Sequence, residues 1–362
     1  MRKSTRIISL FLAALLLFAA LPVTASAQSA NSGSFSVLNY NVAGLPDFVS
    51  MFKGTEKLDI AGKEKIIGGL LNESGIDFIA VQEDFNFNKS LVGAMPNYTY
   101  RTLHHGGVPI GSGLNIYSPH RLYNVEREEW RQRFGLFDEG DQLTPKGILY
   151  AVVEIADGVY ADLYDIHADA FDTVESQQAR VDNFFQLFEM IIRHNSDRPI
   201  IVTGDFNISI HNSPTDPSGA LIKLLFMDQL GMKDAWIELH NNGNYSDFSE
   251  WEATGLTDLN HWDSLEKVLY KDGNGIHLEA TSFEYIDFKD NNGKSCSDHY
   301  GAKAVFSYTT DSSFQPESAS DFTVEQFNLF KEIKRVLTTF FDTLFLCLRN
   351  LALLRVQKPI ET

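Results

Sequence analysis

Apolar residues in this chain follow two patterns. Short β-branched runs end abruptly in polar side chains, and longer stretches carry apolar groups every third or fourth residue. The first pattern predicts strands and the second helices. Residues 200–207 set the type: Ile-Ile-Val-Thr after Pro199, then Gly204, Asp205, Phe206 and Asn207. A buried strand that delivers side chains to the mouth of a site has this form. Asp205 and Asn207 stand two apart, so an extended backbone turns both to the same side.

The same form recurs along the chain. Residues 35–42 predict a strand that brings Asn41 to its end before Gly44-Leu45-Pro46 breaks it. Residues 76–84 run apolar into Gln82, Glu83 and Asp84. Residues 147–155 and 160–166 predict a hairpin about Ala156-Asp157-Gly158, opened by Lys146 and closed by His167-Ala168-Asp169-Ala170. Strands are also predicted over 265–270, 278–288 and 302–308, the last preceded by Ser297-Asp298-His299. Helical stripes cover 63–74, 176–193 and 221–230; the second is amphipathic, with Val181, Phe184, Phe185, Leu187, Phe188, Ile191 and Ile192. Strands alternating with amphipathic helices predict helices laid on β-sheets. His104 and His105 fall in a glycine-rich loop.

Four segments are expected. Residues 1–27 read as an export signal: Arg2, Lys3 and Arg6, an apolar stretch over 7–21, then Ala25-Ser26-Ala27 as cleavage pattern. The mature, secreted chain then starts near Gln28. Residues 28–308 are expected to form the main domain, which carries the strand-end polar groups, 309–320 a Ser/Asp/Pro linker, and 321–362 an amphipathic helical tail rich in Phe and Leu. Asp342 and Arg349 keep the tail short of the ~18 uncharged apolar residues of a spanning helix. Packing on the domain or self-association is its first expected role, and contact with a membrane surface its second. Residues 241–263 mix Tyr245, Phe248, Trp251 and Trp262 with polar groups, a long loop of the kind that carries function or touches lipid.

Composition narrows the chemistry. Hydrophobic residues make up 44% and charged residues 22%, which is ordinary for a globular protein. The net charge of −18 disfavours a broad basic surface for nucleic acid and suits work with divalent cations. The two cysteines, Cys296 and Cys347, have no zinc-type spacing and are expected as free thiols rather than a bridge.

The strand ends together offer Asn41, Glu83, His167, Asp205, Asn207, Asp298 and His299. Each alone has a plainer reading as a turn former or a solvated strand end. A carboxylate beside a core costs several kcal/mol unless it is paired or holds a metal, which makes Glu83 a candidate ligand for a hard cation. Carboxylate and amide oxygens with several waters make an ordinary Mg²⁺ site. Histidine suits proton transfer near neutral pH.

The pieces Leu38-Asn39-Tyr40-Asn41-Val42, Val81-Gln82-Glu83, Ile166-His167-Ala168-Asp169-Ala170, Gly204-Asp205-Phe206-Asn207 and Ser297-Asp298-His299 occur in one order over residues 35–308. They resemble the endonuclease/exonuclease/phosphatase superfamily. The resemblance implies an α/β (α+β) fold, a four-layer αββα sandwich of two mixed sheets, and a Mg²⁺-dependent phosphoesterase, with Mn²⁺ and Ca²⁺ as other possible ions. It implies that Asn41 and Glu83 hold the metal. His299, oriented by Asp298, takes the proton of the attacking water; Asp205 and Asn207 position that water and the phosphoryl oxygens; His167 meets the phosphate or the leaving group. Glu266, in Leu265-Glu266-Lys267-Val268-Leu269, stands where the family shows an aspartate. Glu266 and Lys146 are secondary candidates. Pro145-Lys146-Gly147, residues 167–170 and the helix from Arg180 to Gln186 resemble the exported sphingomyelinase-like branch. The expected substrate is therefore a phospholipid phosphodiester. A secreted DNase-like endonuclease is the alternative, and a noncatalytic binding module on the same fold the second. Headgroup and oligomeric state stay open.

Overall fold

Strands at 78–82 and 200–205 are buried at every position and apolar until their last residues, which is how strands covered on two sides are written, whereas the edge strand at 276–286 alternates buried and exposed positions. The computed structural model describes residues 32–45, 59–135, 141–210, 216–245 and 265–357. Residues 1–27, expected as an export signal, and residues 246–264 with Phe248, Trp251 and Trp262, lie outside the described residues.

Two six-stranded sheets form. The first runs in the order β11 (Ile276–Ile286), β12 (Gly301–Thr310), β1 (Ser32–Asn41), β2 (Phe78–Gln82), β4 (Asn115–Ser118), β3 (Tyr100–Arg101). The second runs β5 (Leu122–Glu128), β6 (Gly147–Ala156), β7 (Val159–His167), β8 (Ile200–Asp205), β10 (Glu266–Lys271), β9 (Lys233–Asp234). Each sheet holds one parallel pair, β1 with β2 and β7 with β8. A parallel pair needs a crossover. Helices α1 (Ile60–Glu73) and α3 (Val174–His194) supply it. Both are capped at the start, by Asp59 accepting from the Gly62 amide and Thr173 from the Ser176 amide.

Alternation along the strands makes the layers. Phe35 and Val37 join the core that includes the second sheet, while Leu38 and Tyr40 point the other way and meet Ile67 and Leu71 of α1. Phe184, Leu187, Met190 and Ile191 lay α3 against β7 and β8. The result is the four-layer αββα sandwich with a C-terminal helix, α6 (Leu329–Gln357). One polar link crosses the interior: Gln82 Nε2 donates to Asn39 Oδ1 and to Asp165 Oδ1, each at 2.6 Å.

Two details differ from the periodicity. The stripe at 221–230 begins as the α-helix α4 (Pro217–Leu221), capped by Asp216, and widens into a π-helix over Ile222–Gln229. The segment read as a linker is pinned down. β12 runs on to Thr310, Phe314 is buried, the Glu317 amide donates to the Gly158 carbonyl, and Arg198 Nη1 donates to Glu317 Oε2 at 2.9 Å. A salt bridge and a buried ring outweigh a composition that is otherwise loop-like. Cys296 and Cys347 are free thiols. Among the described residues no helix is long and apolar enough to cross a membrane.

Candidate active site

The two parallel pairs end side by side, and register decides what they present. Asn41 pairs with Gln82, one residue before Glu83, and His167 pairs with Asp205. Glu266 opens β10 directly opposite Asp205. Three positions at this rim bend the backbone into the left-handed region: Glu83 (φ 58°), Asn207 (φ 53°) and Lys146 (φ 42°). Side chains other than glycine adopt this conformation reluctantly and keep it only where neighbours enforce it. Beneath the rim, a Cβ on Gly204 would lie 2.1 Å from the Ile166 carbonyl oxygen, so only glycine lets β7 and β8 close together there.

Asn41 joins the sheets. Its Nδ2 donates to Glu83 Oε1 at 3.1 Å and to Asp205 Oδ2 at 3.0 Å. Asp205 Oδ2 also lies 3.5 Å from His167 Nε2 and 3.7 Å from His299 Nδ1. His299 Nδ1 stands 2.6 Å from Glu266 Oε1. Asp205 Oδ1 accepts from the Asn207 amide, and Asn207 Nδ2 donates to the Ala168 carbonyl at 3.0 Å.

Burial and neighbouring charge set the protonation states. For His299, burial opposes the imidazolium, but Asp205 and Glu266 overcome it and hold the group up at about 10. For His167, burial, then Lys146 and His299, push its pKa well below the usual value and leave a neutral ring. Its Nδ1 is buried with no partner. Burial raises the Glu83 carboxyl, opposed by Asn41, Lys146 and His299. Burial likewise raises Asp205, with His299 as the strongest opposing group.

A buried brace stands behind the rim. Lys146 Nζ contacts Asp141 Oδ1 at 2.5 Å and donates to the Ala168 carbonyl at 3.2 Å, the same oxygen that Asn207 meets. Burial and Asp141 lift the Asp169 carboxyl to about 8. Arg180, fully buried, donates to the Asp169 and Phe171 carbonyls and to Asp216 Oδ2. Trp130 Nε1 donates to the His167 carbonyl.

Asn41, Glu83, His167, Asp205, Asn207 and His299 thus meet in one place, and Lys146 reaches its edge. Asp298 does not orient His299. It is exposed, with Oδ1 3.5 Å from Ser297 Oγ, and the partner of His299 is Glu266. Neighbours in the turn diverge, whereas Glu266 arrives across the sheet. Ser297 was missed: its Oγ donates to the Asn41 carbonyl at 2.7 Å and accepts from the His299 amide at 3.2 Å, tying β1 to the histidine turn. A serine two residues before a histidine, the spacing of a side chain-to-backbone turn, was its signal. Asp141, the partner of Lys146, gave none.

Two donor groups invite a cation. Ligand atoms of Asp205, Glu266 and His299 lie within 4.8 Å of one another. The short His299–Glu266 contact makes that set a hydrogen-bonded acid–imidazole pair first. Glu83 fits better: it is half-buried, and a cation would relieve the burial that raises its carboxyl; Asn41 would join it once its amide turned over, since Nδ2 now donates to Glu83 Oε1 and Oδ1 accepts from the Ala43 amide at 2.9 Å.

Two mixed sheets between helices, with acids, amides and imidazoles gathered where the parallel strands end, define the class of αββα proteins that carry their site on strand ends. No protein-family model matches the chain. It is 31% identical over 291 residues to the sphingomyelinases of Mycobacterium bovis and Mycobacterium tuberculosis, a match covering 77% of this chain and 54% of theirs. The chain spans about half the length of the curated relatives it matches. Sphingomyelinase C from Streptomyces griseocarneus has the same fold, with a TM-score of 0.51 at 18% identity over 75% of this chain and 99% of that one. D. rerio TDP2 complexed with single strand DNA product gives 0.55 at 16% over 76% and 99%. In sequence the chain is similar to these mycobacterial sphingomyelinases, and in fold to sphingomyelinase C and TDP2.

Proposed function

We propose that this protein is a secreted, Mg²⁺-dependent phosphodiesterase that cleaves a phospholipid of the sphingomyelin type. The observation that carries the reading is the Glu266–His299–Asp205 group facing Asn41 and Glu83 across the seam between the sheets. Similarity to the mycobacterial sphingomyelinases supports the lipid, and the basic-apolar-small pattern of residues 1–27 supports export.

In this reading His299 takes the proton of a water that attacks phosphorus. Glu266 holds the ring through Nδ1, leaving Nε2 for the water, and balances the imidazolium that forms. Asp205 and Asn207 orient the water and the phosphoryl oxygens. His167, neutral and short of a partner at Nδ1, hydrogen-bonds the phosphoryl group. The new bond joins water oxygen to phosphorus; the bond broken joins phosphorus to the lipid alcohol, which leaves opposite and takes its proton from solvent water. Glu83 and Asn41 would hold a divalent cation, which supplies Lewis-acid polarisation of a phosphoryl oxygen and opposes positive charge on His299. Lys146 and Asp141 keep the Ala168 carbonyl, and through it Asn207, in place. Asp298 carries no orienting role.

One panel tests this. Purified protein is given sphingomyelin in detergent micelles or plasmid DNA, with Mg²⁺ or with a chelator. Metal-dependent release of phosphocholine is expected. Nicked plasmid with intact sphingomyelin would instead establish the endonuclease alternative, and no turnover of either would establish the binding module.

A further inference from the structure

Helix α6 is docked the wrong way round for a helix that only packs. Its inward stripe is largely polar: Thr339 and Thr343 are buried, with Leu346 beside them. Thr339 Oγ1 donates to Glu129 Oε1 at 2.5 Å. Arg335 donates to the carbonyls of Ile110 and His105 at 2.9 and 2.8 Å and pairs with Glu332 on its own helix. The outward stripe is apolar. Phe330, Ile333, Leu337, Phe341, Leu344 and Leu348 recur at intervals of three and four residues, with Phe345 beside them. Phe330 is 84% exposed, Phe345 69% and Phe341 60%.

A stripe of this kind on a folded domain marks a surface that something covers. The charges around it narrow what that is. Lys331 and Lys334 are exposed on the helix beside the stripe, against Asp342, in a chain whose net charge is −18. A second copy of so acidic a chain would meet like charge. Phosphate groups at a lipid–water boundary would meet these cations, with lysine stems lying along the apolar stripe. No described helix is long and apolar enough to cross a bilayer, so the helix would lie in the boundary rather than span it. Its anchors also reach toward the site. The loop held by Arg335 includes His104, whose Nε2 lies 3.1 Å from the Asp84 carbonyl next to Glu83. Glu129, held by Thr339, precedes Trp130, which grips the His167 carbonyl.

We propose that the outward face of α6 seats the protein on a phosphocholine lipid surface and sets the distance between the rim and the headgroups. The substrate part rests on the phosphodiesterase reading above; the docking part does not. The test uses full-length protein, vesicles of phosphatidylcholine with and without sphingomyelin, and the double substitution Phe341→Ser with Phe345→Ser. Both side chains are exposed, and neither touches the rim. Wild type is expected to sediment with either vesicle. The variant should lose about tenfold or more of that partitioning. It should keep its melting temperature and its turnover of a water-soluble phosphodiester. Wild type that stays in the supernatant, or a variant that sediments as well as wild type, would overturn the proposal. So would a wild-type dimer that the two substitutions split. Sedimentation is read without turnover: a wild type that binds vesicles yet leaves sphingomyelin in micelles intact sinks the phosphodiesterase reading alone.

Discussion

At the strand-end rim polar groups are buried, and on the outer face of α6 apolar groups are exposed. Both regions reverse the usual relation between polarity and burial, and in opposite ways. At the rim each charge is answered: Asp205 by Asn41 and two imidazoles, Glu266 by His299, Lys146 by Asp141. On the helix, Phe330 and Phe345 stand exposed, and Phe341 meets the neighbouring Phe340 ring edge-on, itself half exposed. Only such reversals are informative, since an ordinary fold produces neither in quantity. The rim answers most of its charges from within the chain. The helix face is left for something outside it.

The rim side of that contrast can be broken by removing its members. His299→Ala should lower turnover by roughly 10²–10⁴-fold, the worth of a general base, with the fold kept; steady-state kinetics and a melting curve check it, and a loss below tenfold would count against the role. Glu83→Gln should abolish the response to added Mg²⁺ while circular dichroism stays unchanged; wild-type activity in saturating Mg²⁺ would refute its place at the metal. Glu266→Gln should act more gently. Without that carboxylate the His299 ring falls from about 10 toward the ordinary 6.5, read by proton NMR of the histidines, and turnover drops less than in His299→Ala.

Two further substitutions reach stability. Asp169 titrates near 8 in the folded chain against an ordinary 3.8. A raised carboxyl lends stability that is whole at acid pH, drains as pH climbs from about 4 toward 8, and is gone above that. Asp169→Asn should flatten this slope in denaturant melts, so that the variant gains on wild type as pH rises from 4 to 8. Arg335→Ala should cost about 1 kcal/mol, because its partly exposed bonds to two carbonyls are the helix's main polar anchor, and limited proteolysis should then nick α6 sooner.

How much of this was legible in the sequence follows from which forces are local. The strands and their polar ends were readable, because an apolar run that stops at Asp205 or Glu83 carries its own register. The grouping of Asn41, Glu83, His167, Asp205 and His299 followed once each was placed at a strand end. The partner of His299 was not readable. Asp298 is adjacent in sequence, but Glu266 comes from 33 residues away and reaches the ring only through antiparallel pairing of β10 with β8. The tail shows the same limit. Periodicity revealed a stripe of Phe and Leu, yet which side faces the domain depends on backbone carbonyls at Ile110 and His105 that Arg335 finds only after folding.

The left-handed turns at Glu83, Asn207 and Lys146 carry a last consequence. Glycine at any of the three would relax the main chain and delete the side chain that the rim uses. Breeding this molecule for heat tolerance, with no screen for turnover, should therefore drift toward sturdy, inert sequences first at codons 83 and 207, since losing Lys146 would leave the buried Asp141 carboxylate unpaired.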